Sequence, residues 1–313
     1  MQNKRTKLIA TTAAAILLLS SQSGAAFAAS STGAGSNSSS SVSQQSTDRA
    51  ILAGLDQRLA KGKLAEAISY LNTDIMKVSR NTATIMVLHL ENAQEAWIPA
   101  YVKKMEGTSI QRALTKLYRS GDTFDSLSKR TSDPSLRSVL LLMQKNGYRL
   151  ETAEGMFYPV IDYPAYERYS EYVNKDIQQY LGIRYLETVQ PLSSDAALTI
   201  GYQSLLARGA SVESFVRTYP YSNRINQMRS LYTLYRNTIF YGMNNTPLFD
   251  YENGKMRSQA QTGYNAYLSY AAPQVAKSPL LTKVGYFMKV VQDNDYKLTD
   301  QVQAWLKANA AIQ

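Results

Sequence analysis

Between residues 151 and 172 the chain reads ETAEGMFYPVIDYPAYERYSEY. Three carboxylates, Glu151, Glu154 and Asp162, lie there among Tyr and Phe. Glycan cleavage needs one carboxyl held protonated as a general acid, often with a second as base or nucleophile. Burial beside aromatic rings raises a carboxyl's proton affinity, which is the direction an acid catalyst requires. Glu151, Glu154 and Asp162 are therefore the candidate catalytic groups of a carboxylate-dependent peptidoglycan or glycan hydrolase. Local structure offers a competing account. Glu154 precedes a turn glycine, and Asp162 suits the cap of a following helix. The Glu-Ser helix and Gly-rich substrate motifs of a helical lysozyme-like enzyme are not evident.

The same stretch carries Tyr158, Tyr163, Tyr166, Tyr169 and Tyr172. The last four recur every three residues. On an α-helix three residues turn about 300°, so such rings drift by about 60° per step and form an oblique stripe. The whole chain holds 23 Tyr against 7 Phe, so aromatic rings with a polar handle are preferred over purely apolar ones. A Tyr ring removes apolar area from water while its hydroxyl keeps a polar partner, which suits interfaces, glycan stacking and the rims of helix seams alike. These five tyrosines are the expected binding surface.

Most other chemistry is closed. His89 is the one histidine and sits in the apolar run MVLHLEN, where a half-buried packing role is expected. There is no Cys, so neither a Cys nucleophile nor a zinc site of several His and Cys ligands can be built. Gly-rich phosphate loops are missing. Asp293-Asn294-Asp295 is too short for a calcium loop, and the run from Asp250 to Gly254 is only suggestive. No metal site and no cofactor are expected.

Those residues must be positioned by a mainly helical framework. Apolar residues recur at three and four through residues 51–59, 64–75, 85–101, 136–143 and 225–239. Thr47-Asp48, Asn81-Thr82, Asp133-Pro134, the run 193–195 and Ser222 read as helix starts. Pro99 is expected to kink or split its helix. Residues 148–160 change period, with Glu154-Gly155 at a turn, and read as a short hairpin or extended loop. Helical text resumes at Pro164 and runs to about Gln190, with a break at Asn174. Final helices are expected at residues 258–271, 278–293 and 299–311. The fold class is a multi-helix bundle of roughly ten helices, with a hairpin or extended loop near residues 148–162.

At the front, Lys4, Arg5 and Lys7 precede an apolar run over residues 8–19, and Ala26-Phe27-Ala28 gives a small-x-small cleavage pattern. Residues 1–28 are expected to be a signal peptide whose core is too short for a comfortable membrane span. Residues 29–46 are nearly all Ser, Gly, Thr, Asn, Gln and Ala, the composition of a flexible linker. Residues 47–313 then form the helical domain, with two sub-domains meeting near 148–162 as an alternative. A chain this large can bury a core without disulfides, and an exported protein without Cys fits a Gram-positive-type bacterium.

The chain has 34 basic and 24 acidic residues. The basic excess is modest and dispersed, and no four consecutive Lys or Arg occur, so a nucleic-acid partner is not expected. In an exported protein the natural anionic partner is a cell-wall polymer, with another extracellular protein as the alternative. The sequence reading thus favours a secreted, extracellular, non-enzymatic protein, with cell-wall association as an alternative location, that binds through a Tyr-rich basic surface. The segment SFVRTYPYS at residues 214–222 is similar to the helix-pair junction of tetratricopeptide arrays. It occurs once and no period of about 34 residues returns, leaving a protein-binding scaffold as a further alternative.

Overall fold

The computed structural model describes residues 38–311, so the expected signal peptide and the first part of the expected linker lie outside the described residues. Helix α1 (Ser38–Ala60) reaches back into the polar segment expected to be linker up to residue 46. Side chains explain the extension. Ser46 and Thr47 hydroxyls donate to the Ser43 carbonyl, and Gln44 donates to Asp48 at 2.7 Å and to the Lys77 carbonyl at 3.1 Å. Asp48 is a mid-helix residue and not the expected cap of its own helix. It accepts from the Ser79 amide, the Ser79 hydroxyl and the Thr82 hydroxyl, which tethers α1 to the start of α3. Burial works to raise its pKa, but the bonds from Ser79, Gln44 and Thr82 lower it overall.

Helices α2 (Leu64–Asp74) and α3 (Arg80–Met105) pack on α1. α3 begins at Ser79, two residues before the expected cap, because the Ser79 hydroxyl accepts from the Thr82 amide. It continues through Pro99 as one helix, without the expected split. The next helices are α4 (Thr108–Leu117), α5 (Phe124–Arg130) and α6 (Pro134–Lys145). α6 opens as expected: Asp133 accepts from the Ser135 and Leu136 amides, and Pro134 fills the first turn.

Strands β1 (Tyr148–Ala153) and β2 (Met156–Ile161) form the expected hairpin, with Tyr148 opposite Ile161 and Ala153 opposite Met156. Glu154 and Gly155 both have positive φ, 50° and 75°, as a two-residue turn matched to strand twist requires. Gly147 starts the hairpin at φ 78°, and a Cβ there would stand 2.3 Å from the Gln94 amide nitrogen. The outer edge of β2 is covered by one side chain. Gln111 accepts from the Phe157 amide and donates to its carbonyl, which satisfies both backbone groups of that edge residue.

After the hairpin comes a 3₁₀ segment, Tyr163–Tyr169, where an α-helix was expected; α7 (Lys175–Val189) starts only after Asn174. Two small hairpins follow in the second half. β3 (Ser193–Ser194) and β4 (Ala197–Leu198) replace the helix start expected at 193–195, with Asp195 and Ala196 both at positive φ. α8 (Tyr202–Thr218) and α9 (Ile225–Tyr241) then pack together, and β5 (Gly242–Met243) pairs with β6 (Thr246–Pro247). The chain closes with α10 (Ser258–Tyr270), α11 (Ala272–Val275), α12 (Pro279–Gln292) and α13 (Asp300–Asn309). Buried apolar side chains from Leu55 to Ala310 form one continuous cluster. The molecule is mainly α, with thirteen α-helices and short two-stranded hairpins among the described residues.

Candidate functional site

On the hairpin, Glu151 and Asp162 share a face with Arg149, whose Nε lies 3.4 Å from Glu151. Burial raises the pKa of both carboxyls, opposed by Arg149 for each and by Arg168 for Asp162. One half of the acid-catalyst requirement is therefore present. The three carboxylates are nevertheless strung along the hairpin. Asp162 lies across from Gly147, four residues from Glu151, or about 13 Å along a strand. Glu154 is exposed at the turn tip, where its amide donates to Asp195 at 3.2 Å.

The five tyrosines divide by burial. Tyr163, Tyr166 and Tyr169 are buried, at 2–3% exposure, and offer no ring to a partner. The reason is the local geometry. A spacing of three drifts around an α-helix but is in phase with a 3₁₀-helix, where residues i and i+3 eclipse. The three rings therefore line up on one side, successive centroids 5.6 Å apart, Tyr163 tilted against Tyr166 and Tyr166 edge-on to Tyr169. All three hydroxyls reach the helices beneath: Tyr163 donates to Glu91 at 2.6 Å, Tyr166 to Gln94, and Tyr169 to Asn72 at 2.6 Å. Burial pushes the Tyr163 and Tyr166 phenols well above their ordinary value, and Tyr169 up to about 12. Tyr158 and Tyr172 are half-buried, and Tyr172 packs against the core.

Below these rings lies a buried ion pair. Glu91, fully buried on α3, also accepts from Tyr180 and from Arg224 at 2.9 and 2.7 Å. Arg224 donates further to Asn92 at 2.6 Å. Arg184 stacks over the Tyr163 ring at 4.5 Å. Burial disfavours the Arg224 charge, but Glu91 and Tyr180 hold its pKa above the usual value. This cluster joins α3, the 3₁₀ segment, α7 and the start of α9; Glu91 and Arg224 are paired within it, while the buried Arg184 Nε has no hydrogen-bond partner. His89 stands apart, half-exposed on α3, with Nδ1 2.7 Å from an Asp56 carboxylate oxygen.

An open site exists elsewhere, and sequence reasoning missed it. α8, the α11–α12 connection, α12 and α13 line a groove of about 740 Å³, within the range of ligand-binding clefts. Arg217, Lys277, Lys283 and Lys289 line it, together with Tyr286, Trp305 and one acidic residue, Asp293. α12 explains the arrangement. Leu281, Val284, Phe287, Met288 and Val291 face the core, which leaves Lys283, Tyr286 and Lys289 on the outer face at intervals of three. Tyr286 is 66% exposed. Trp305 is held from behind by Phe287 and Phe240, at centroid distances of 5.3 and 6.0 Å, so the aromatic wall is rigid before any ligand arrives. Arg217 donates to the Lys277 carbonyl at 2.7 Å and ties the α11–α12 connection to α8. Among the described residues, none of these four cations stands within ion-pair distance of a carboxylate. The available signal was the triplet of Lys, Tyr and Lys on the polar face of an otherwise apolar helix.

A mainly helical protein with a basic, aromatic groove is what fold and site define. The chain matches no protein-family model, no curated protein and no solved structure. Among the described residues, no helix is long and apolar enough to cross a membrane.

Proposed function

We propose that this is an exported, non-enzymatic binding protein that holds an anionic cell-envelope ligand in the α12–α13 groove. The observation that carries the reading is the set of Arg217, Lys277, Lys283 and Lys289 around the exposed Tyr286, without carboxylate partners. Such a surface attracts an anion by Coulomb forces and offers a ring face to the carbon skeleton that bears it. The leader-like residues 1–28 and the absence of Cys support an extracellular setting, on the wall of a Gram-positive-type bacterium.

Retention of the purified full chain on isolated cell wall tests the reading. The wild type is expected to bind at low salt and to elute as salt shortens the screening length toward about 3 Å at 1 M. Lys277→Glu with Lys289→Glu is expected to abolish retention while leaving the circular-dichroism melting curve unchanged, since both side chains are exposed. Equal retention of the double variant would remove the groove from the proposal, and no retention of the wild type at low salt would remove the proposal itself.

A further inference from the structure

A second hollow of about 360 Å³ adjoins the groove and shares Pro279, Lys283 and Asn309 with it. Its own lining adds Tyr232 and Arg236 from α9. The two hollows thus adjoin along a shared border that includes Lys283. Each side has its own cations and its own tyrosine: Lys277, Lys289 and Tyr286 on one flank, Arg236 and Tyr232 on the other. Lys283 is held at the boundary because its Nζ donates to the Asn309 carbonyl at 2.8 Å, which leaves its remaining hydrogens for a ligand. Arg236 is similarly fixed by one bond to the Ala311 carbonyl at 2.5 Å.

Spacing then restricts the ligand. Lys283 and Lys289 leave α12 six residues apart, about 9 Å along its axis. Arg236 lies on the far side of Lys283. Hydrogen bonds from a cation to an anion need about 2.7–3.2 Å, so one phosphate or carboxylate can satisfy one part of the adjoining hollows and not all of them. A chain with an anion on each repeat satisfies every part at once. Each bound repeat raises the effective concentration of the next at its own subsite.

Resting on the proposed groove function, we infer that the ligand is a polymer, a sugar or polyol chain bearing an anion on each repeat, seated in two consecutive subsites on either side of Lys283. The rings of Tyr286, Trp305 and Tyr232 face its carbon skeleton, and the five basic side chains of the two hollows face its charges.

Calorimetric titration of the full chain tests this with two probe ladders: oligogalacturonates of one, two, four and eight units, and poly(glycerol phosphate) of the same lengths. Vesicles containing phosphatidylglycerol form a third arm. In at least one ladder, affinity is expected to rise tenfold or more between one unit and four, then level off. Arg236→Gln is expected to erase that gain, leaving four units no tighter than one. Arg236→Lys, which keeps the charge, is expected to restore most of the gain, and a melting curve of Arg236→Gln that matches wild type separates the lost ligand contact from fraying at Ala311. Single units that bind as tightly as tetramers would overturn the two-subsite inference while leaving the groove function standing. Binding to vesicles in preference to every soluble oligomer would overturn the polymer and assign a lipid surface. Absence of binding to any probe, with no retention on cell wall, would overturn both readings together.

Discussion

Tyrosine serves this molecule under opposite conditions in two regions. In the 3₁₀ segment, Tyr163, Tyr166 and Tyr169 are buried with every hydroxyl bonded to a side chain of α2 or α3. In the α12–α13 groove, Tyr286 stands 66% exposed among lysines that have no acidic partner. The residue type and even the interval of three are common to both. What differs is the supply of acceptors. α3 presents Glu91 and Gln94 to the rings above it, and so a phenol can be buried there without leaving its hydroxyl unpaired. Nothing comparable covers the outer face of α12, where the ring remains at the surface. An aromatic cluster in sequence therefore marks either a seam or a site, and the partner on the neighbouring helix separates the two.

The seam side of this comparison breaks most severely at Glu91. Replacing Glu91 with Ala leaves the Arg224 guanidinium buried at 6% side-chain exposure without its counter-charge, and removes the acceptor of Tyr163 and Tyr180. A loss of about 3–5 kcal/mol is expected, as for one partner of a buried pair. An unfolding free energy from urea titration lowered by less than a third of that would show that the cluster is wetter than described.

A milder cut tests the seam and the groove side by side. Tyr166→Phe leaves the Gln94 oxygen buried without its donor and is expected to cost about 1–3 kcal/mol. Tyr286→Phe removes a hydroxyl at the surface and is expected to change stability by less than about 0.5 kcal/mol. Equal effects in the two variants would erase the distinction between the regions.

The smallest expected effect lies at the edge of the seam, at Glu95. Burial first, then the neighbouring Glu91, raises its pKa above 4.5, against the lowering influence of Arg224 and Arg184. A carboxyl that holds its proton more tightly folded than unfolded favours the fold at low pH. That stability is lost as pH rises from 4.5 through the folded-state value. Wild type should thus lose stability relative to Glu95→Gln as pH is raised from 4 to 7, read from urea midpoints of the two chains at each pH. A difference that stays flat or grows the other way would place Glu95 outside the buried cluster.

Much of the framework was legible from local signals. Asp133-Pro134 announced α6, Glu154-Gly155 announced the hairpin turn, and the helix expected over residues 278–293 is α12. Each rests on interactions within a few residues, which a linear reading can see. Two local readings failed because one pattern served two geometries. The run at 193–195 looks like a helix cap but turns back as β3–β4, held by a Glu154–Asp195 contact across 41 residues. Tyrosines at intervals of three suit an oblique α-helical stripe or an in-line 3₁₀ face, and Asn174 delays the α-helix until the tyrosines have passed.

By itself, then, the sequence determined the helical class, the position of the hairpin, the wealth of ring-plus-hydroxyl side chains and the surplus of basic residues. Those follow from composition and from periods of two and 3.6 residues, which need no distant partner. Tertiary structure alone decided which aromatics face inward. The hydroxyl of Tyr163 meets Glu91 across 72 positions, that of Tyr169 meets Asn72 across 97, and Arg224 meets Glu91 across 133. Burying a phenol or a charge is favourable only beside such a partner, and helix packing supplies the partner. The same packing brings α8, the α11–α12 connection, α12 and α13 around Tyr286, where, among the described residues, four cations gather with no carboxylate at ion-pair distance.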